Sequence, residues 1–189
     1  MIYYFDKTQA FAAIFIYFIV IIIAKKSQHK KELPFFIFLS LMYAYIVCVV
    51  YYTIFPIYAD STMKDIMGEF SFQNNFNIVP FREILNQTSL LNIAMTIPFG
   101  FLLPFIVRVR FPKVVAIGTA FSLCIESIQL ILGLYFDFSV RIIDVNDVIC
   151  NTLGAVLGYL IFEAFIIMLA KAINGDCSSK FILYMIERR

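Results

Sequence analysis

Arg141 to Gly158 reads RIIDVNDVICNTLGAVLG. Its polar and small residues fall at Asp144, Asp147, Asn151, Gly154 and Gly158, at spacings of three and four. At about 100° per residue these five share one helix face within roughly 80° of arc. Apart from Arg141, Asn146 and Thr152, the remaining positions of that stretch are Val, Ile, Leu, Cys and Ala. Upstream, Ser122, Glu126, Gln129 and Gly133 form a second stripe of the same kind. Ionisable groups inside a bilayer are costly and turn toward a bundle interior or a wet cavity. The two stripes are therefore expected to face each other.

Outward from that stretch, the chain is 62% hydrophobic and 15% charged over 189 residues, with a mean hydropathy of +0.88. Apolar residues in long runs at that density indicate an all-α integral membrane bundle. Five spans are expected, over about Thr8–Ala24, Pro34–Tyr58, Leu90–Val107, Val114–Leu134 and Val148–Ala170. Pro34 suits a helix start, residues 1–5 offer an extension of the short first span, and Pro98, Gly100 and Pro104 predict a kink in the third. Three regions follow: 1–76 with two spans and the start of a loop, 77–170 with three spans, and a tail over 171–189. Abundant Ile, Phe, Asn and Lys without Trp suggests an AT-rich bacterial genome.

The loops set an expected orientation. Eleven of the fifteen basic residues fall between spans one and two, between three and four, or after five; Lys7, Lys64, Arg82 and Arg141 lie on the other side. Positive loops stay in the cytoplasm, so the N-terminus is expected outside and the C-terminus inside, in a bacterial cytoplasmic membrane. The first span lacks the basic start and small-residue cleavage site of a signal peptide. Cys48, Cys124 and Cys150 lie in spans and Cys177 in the tail, with no metal or disulfide spacing. His29 is the only histidine, which argues against His-based acid–base chemistry.

In the long outer loop, Phe76, Ile78, Val79 and Phe81 are too apolar for a free loop and are expected to rest on the bundle. Residues 82–89 offer a short interfacial helix, and the Asn86-Gln87-Thr88 sequon reads as chance. The tail after Ser178-Ser179 predicts a short amphipathic helix at the inner surface.

These motifs resemble the VanZ-like family. Asn77-Ile78-Val79-Pro80-Phe81 is similar to its N-[LIV]-[IV]-P-F element, and Asn92 with Pro98-Phe99-Gly100-Phe101-Leu102-Leu103-Pro104 to its N-x5-P-[FL]-G-[FL]-x2-P element. Ser122, Glu126 and Gln129 resemble its S-x3-E-x2-Q stripe, and Arg141 to Gly158 its R-x2-D-x2-D-x3-N-x2-G-x3-G signature. The resemblance covers roughly residues 77–158. It implies a bacterial membrane protein connected with resistance to glycopeptides, chiefly teicoplanin and lipid-tailed relatives, and implies no mechanism.

By helical rise, Asn151 lies about 6 Å, Gln129 about 8 Å and Glu126 about 12 Å below the outer end of the bundle. Asn77, Asn92, Glu126, Gln129, Arg141, Asp144, Asp147 and Asn151 are thus the candidate binding residues of an outer polar pocket. Each also has a structural reading. Asp144 and Asp147 suit a helix start, Arg141 suits a pairing with one of them, Glu126 and Asn151 suit interhelical hydrogen bonds, and Gly154 with Gly158 permits close packing. Glu163 stands apart, nearer the inner end.

Three functions compete. The first is a non-enzymatic defence protein whose pocket binds a membrane lipid, a lipid-linked cell-wall precursor or the antibiotic. The second is an enzyme acting on a lipid-linked substrate, in which Glu126, Asp144 and Asp147 hold Mg²⁺ or Ca²⁺ or serve as acid and base; no P-loop or nucleophile elbow supports it. The third is a lipid transporter or assembly subunit. No cofactor is expected outside the enzymatic reading, and no nucleic-acid partner.

Overall fold

The computed structural model describes residues 2–27, 32–58, 65–66, 68–81, 86–138, 142–173 and 179–188. Five helices are long and apolar enough to cross a membrane: α1 (Lys7–Ser27), α2 (Leu33–Ile54), α4 (Gln87–Ile106), α5 (Phe111–Phe136) and α6 (Val145–Ala172). Between α2 and α4 lies the one-turn α3 (Phe72–Asn75), and the chain ends in α7 (Lys180–Ile186). Two-residue strands pair in two places: β1 (Ile2–Tyr3) antiparallel with β2 (Ile57–Tyr58), and β3 (Phe76–Asn77) parallel with β4 (Ile143–Asp144).

Several boundaries differ from the sequence expectation. Residues 2–3 do not extend the first span but pair with Ile57 and Tyr58. The helix starts only at Lys7, where the Asp6 carboxylate accepts from the Thr8 N–H at 2.7 Å. The second span stops at Ile54 rather than Tyr58, because Pro56 forces Phe55 out of the helical region. No separate helix occupies the described part of 82–89: Asn86 caps α4 instead, accepting from the Ser89 N–H at 2.7 Å. Residues 82–85 and Arg141 lie outside the described residues. The third span runs uninterrupted through Pro98 and Pro104.

The bundle is built on α4 and α6, its closest-packed pair. Glycines set that distance. A Cβ at Gly158 would collide with the Ile97 carbonyl, one at Gly154 with the Ile93 carbonyl, and one at Gly100 with the Ala155 carbonyl. Small residues let membrane helices approach closely in this way. The small residues of the Arg141–Gly158 stretch therefore serve α4, whereas its polar residues reach back to the α5 stripe: Asn151 donates to Ser122 Oγ at 2.9 Å, and the Asp144 N–H to Glu126 Oε2 at 3.4 Å. The expected meeting of the two stripes is thus shared between two neighbours.

Aromatic layers fill the rest. Phe38 of α2 stacks on Phe105 of α4 at 3.9 Å, and Phe105 meets Phe162 of α6 edge-on. Phe99 stacks on Phe121 of α5 at 4.4 Å. Helix α7 docks beneath this core: its Tyr184 hydroxyl donates to the Phe105 carbonyl and accepts from Arg188 Nη2. Burial pushes the Tyr184 phenol up from its ordinary 10.0, with Arg188 opposing the shift. Helix α1 is peripheral and buries none of its residues; the Tyr43 hydroxyl donates to the Ala13 carbonyl, and Tyr17 and Ser40 share a bond of 2.8 Å.

Candidate functional site

At the end of the bundle where α6 begins, the chain concentrates its buried polar groups. Asp144 caps α6, its carboxylate accepting from the Asn146 N–H at 2.8 Å. An anion suits that position because the first-turn N–H groups lack helical acceptors. The same carboxylate accepts from Asn77 Nδ2 through both oxygens at 3.0 Å. Its own backbone N–H donates to Glu126 Oε2 at 3.4 Å. One residue therefore joins the β3 loop, the start of α6 and the middle of α5.

Asn146, 2% exposed, repeats the arrangement beside it. Its carbonyl accepts from the Phe81 N–H at 2.7 Å and its amide donates to the Val79 carbonyl at 3.5 Å. These two residues hold the Asn77–Phe81 loop on the α6 N-terminus. The loop thus lies on the bundle, as its apolar residues predict, but it turns Ile78, Val79 and Phe81 outward, at 77%, 51% and 69% exposure. Phe81 adopts a left-handed backbone, φ 63°.

Beneath the cap lies a cavity of about 340 Å³ between α2, α4, α5 and α6. Six of the eight residues singled out in the sequence line it: Asn92, Glu126, Gln129, Asp144, Asp147 and Asn151. Asn77 stands behind Asp144, and Arg141 lies outside the described residues. Glu126 is 6% exposed. Gln129 donates to the Thr53 carbonyl of α2 at 3.0 Å, which ties its amide to the wall.

Among the described residues two buried side-chain polar atoms have no hydrogen-bond partner, and both belong to residues of this lining: the Asn92 Nδ2 donor and the Asn151 Oδ1 acceptor. Buried amides are nearly always satisfied, so an orphan donor and an orphan acceptor on two residues of one lining set this end of the bundle apart. Glu126, Asp144 and Asp147 supply three carboxylates to the same wall. Among the described residues no three His, Cys, Asp or Glu side chains come together as a metal cluster.

The sequence reading missed Thr53, Asn86, Thr88 and Asn146. Thr53 comes from α2, which carries none of the motifs. Asn146 lies two residues from Asp144, about 200° around the helix, so no stripe includes it; its signal was a polar residue in an otherwise apolar arc.

Five apolar helices, four of them around such a cavity, define a multi-pass membrane protein with a polar recess at one end. Residues 41–168 match the VanZ/LLP1 family, and the chain belongs to that family. The match begins within α2, further upstream than the motifs themselves. No significant match is found among curated proteins or solved structures.

Proposed function

We propose that this cavity binds the polar group of a lipid-linked or lipid-tailed ligand at the outer face of a bacterial cytoplasmic membrane. Through it the protein would lower susceptibility to teicoplanin-type lipoglycopeptide antibiotics. The observation that carries the reading is the pair of orphans, Asn92 Nδ2 and Asn151 Oδ1, on one carboxylate-lined cavity. An unmade buried hydrogen bond costs about 1–3 kcal/mol, a cost that bound ligand would remove. A hydroxyl or an amide both donates and accepts, so it can serve both atoms. The described lining offers three carboxylates, which favours sugar hydroxyls, peptide amides or an amine over a bare phosphate. Cell-wall precursors, lipid headgroups and lipid-tailed glycopeptides all present such groups.

The outward orientation is supported by the distribution of basic residues. Lys25 and Lys26 end α1, Arg108, Arg110 and Lys113 lie between α4 and α5, and Lys171 and Lys180 follow on α6 and α7. All belong to the end opposite the cavity, and basic loops face the cytoplasm.

The test is Glu126→Gln. The amide oxygen still accepts from the Asp144 N–H, and the volume is unchanged, so only charge and proton chemistry are lost. Cells carrying Glu126→Gln are expected to lose teicoplanin resistance while expression and thermal stability stay near wild type. Full resistance from well-folded Glu126→Gln would remove Glu126 from the site.

A further inference from the structure

The end of the molecule opposite the polar cavity carries a second recess, of about 560 Å³, whose chemistry is the reverse. Arg108, Arg110, Lys113 and Arg188 line it, with Glu187 as the one carboxylate among its described lining residues. Arg188 is only 9% exposed. Its guanidinium donates to the Tyr184 hydroxyl at 2.7 Å and lies 4.4 Å from the centre of that ring. It makes no ion pair among the described residues. Glu32 acts on the Tyr184 phenol through space but does not pair with Arg188. Glu187, the next residue along, is exposed.

A charge taken out of water needs compensation. A phenol oxygen and a π face return only part of it, and a buried cation stripped of a partner is strongly unfavourable. Three more cations on the same recess raise the demand for an anion. The recess also includes the start of α5, where Arg110 caps the helix without a side-chain bond and the helix dipole favours negative charge. We propose that this recess is a binding site for the phosphate of an anionic phospholipid.

Position selects the lipid over a free anion. The cations sit where α4 ends at Ile106 and α5 begins at Phe111, the level at which spans leave the hydrocarbon. Val107 and Phe111, each 48% exposed, flank them with apolar surface that acyl chains can cover. Basic pockets between spans at this level suit anionic headgroups. The site is independent of the polar cavity and of the function proposed for it.

The test uses the full chain purified in detergent, with native mass spectrometry on mixtures of phosphatidylglycerol and phosphatidylcholine. Wild type is expected to retain phosphatidylglycerol selectively and to melt at higher temperature in its presence. The double variant Arg108→Gln with Lys113→Gln changes only exposed side chains, so its fold is retained. Its affinity for phosphatidylglycerol is expected to fall about five-fold for each cation removed. Inorganic phosphate at matched concentration is expected to leave the melting temperature unchanged. Equal retention of the two lipids by wild type, or equal retention of phosphatidylglycerol by wild type and variant, would overturn the site. Stabilisation by inorganic phosphate without lipid retention would overturn the assignment to a lipid.

Discussion

Asn151 separates a binding role from a packing role. Its amide nitrogen is bonded to Ser122, while its Oδ1 is buried with nothing to accept from. Leu shares the branching at Cγ and has no polar atom. Asn151→Leu loses one interhelical hydrogen bond, worth about 0.6 kcal/mol on average in membranes. It also removes an unsatisfied acceptor that costs about 1–3 kcal/mol. Ser122 can turn its hydroxyl back to a carbonyl of its own helix, as Ser127 does to Leu123 at 2.7 Å. Asn151→Leu is therefore expected to match or exceed wild type in thermal stability while resistance falls. If Asn151 serves packing alone, stability and resistance should fall together. Six of the eight candidate residues were brought to one cavity because periodicity fixes which helix face a residue occupies. What periodicity leaves open is what an amide bonds to, which is why Gln129, spent on the Thr53 carbonyl, looked the same in sequence as Asn151.

At the scale of elements, the α4–α6 contact is the feature most exposed to small changes. A Cβ at Gly158 meets the Ile97 carbonyl and the Phe101 N–H, all backbone, and backbone cannot rotate away. Gly158→Ala must push the helices apart, which overpacking places at about 1–3 kcal/mol. A lowered melting temperature in detergent, with ligand-free protein, is the expected readout; an unchanged one would mean that the pair is looser than the glycines indicate. The spans themselves were legible, because about 20 apolar residues are needed to cross the bilayer. Boundaries were less so. Pairing of residues 2–3 with Ile57 and Tyr58 is non-local, and no hydropathy window registers it. The loop over Asn77–Phe81 was recognisable as docked, yet its partner Asn146 was not, since the contact spans 65 positions in sequence.

The whole molecule is polarised along its helices. An acidic, amide-lined cavity sits where α4 begins, and a basic recess sits where it ends, about 30 Å apart over twenty residues. Both the proposed pocket and the proposed lipid site depend on which end faces the cytoplasm, so orientation is the prediction on which the rest turns. Single cysteines can report it in a background where the four native cysteines are replaced. Gln73 lies on α3 beside the cavity end, Ser27 closes α1, and Lys180 opens α7; all three are exposed. With basic residues gathered at the α1, α4 and α6 exits, Gln73→Cys is expected to react with a membrane-impermeant maleimide in intact cells. Ser27→Cys and Lys180→Cys should react only after permeabilisation, because odd-numbered crossings put both on the inner side. Agreement between the last two matters as much as the first: one labelled and one protected would contradict five crossings. Labelling of Ser27→Cys and Lys180→Cys in intact cells, with Gln73→Cys protected, would turn the polar cavity to the cytoplasm. A large drug that stays outside could then not reach it, and the resistance reading would fail even if the cavity bound lipid.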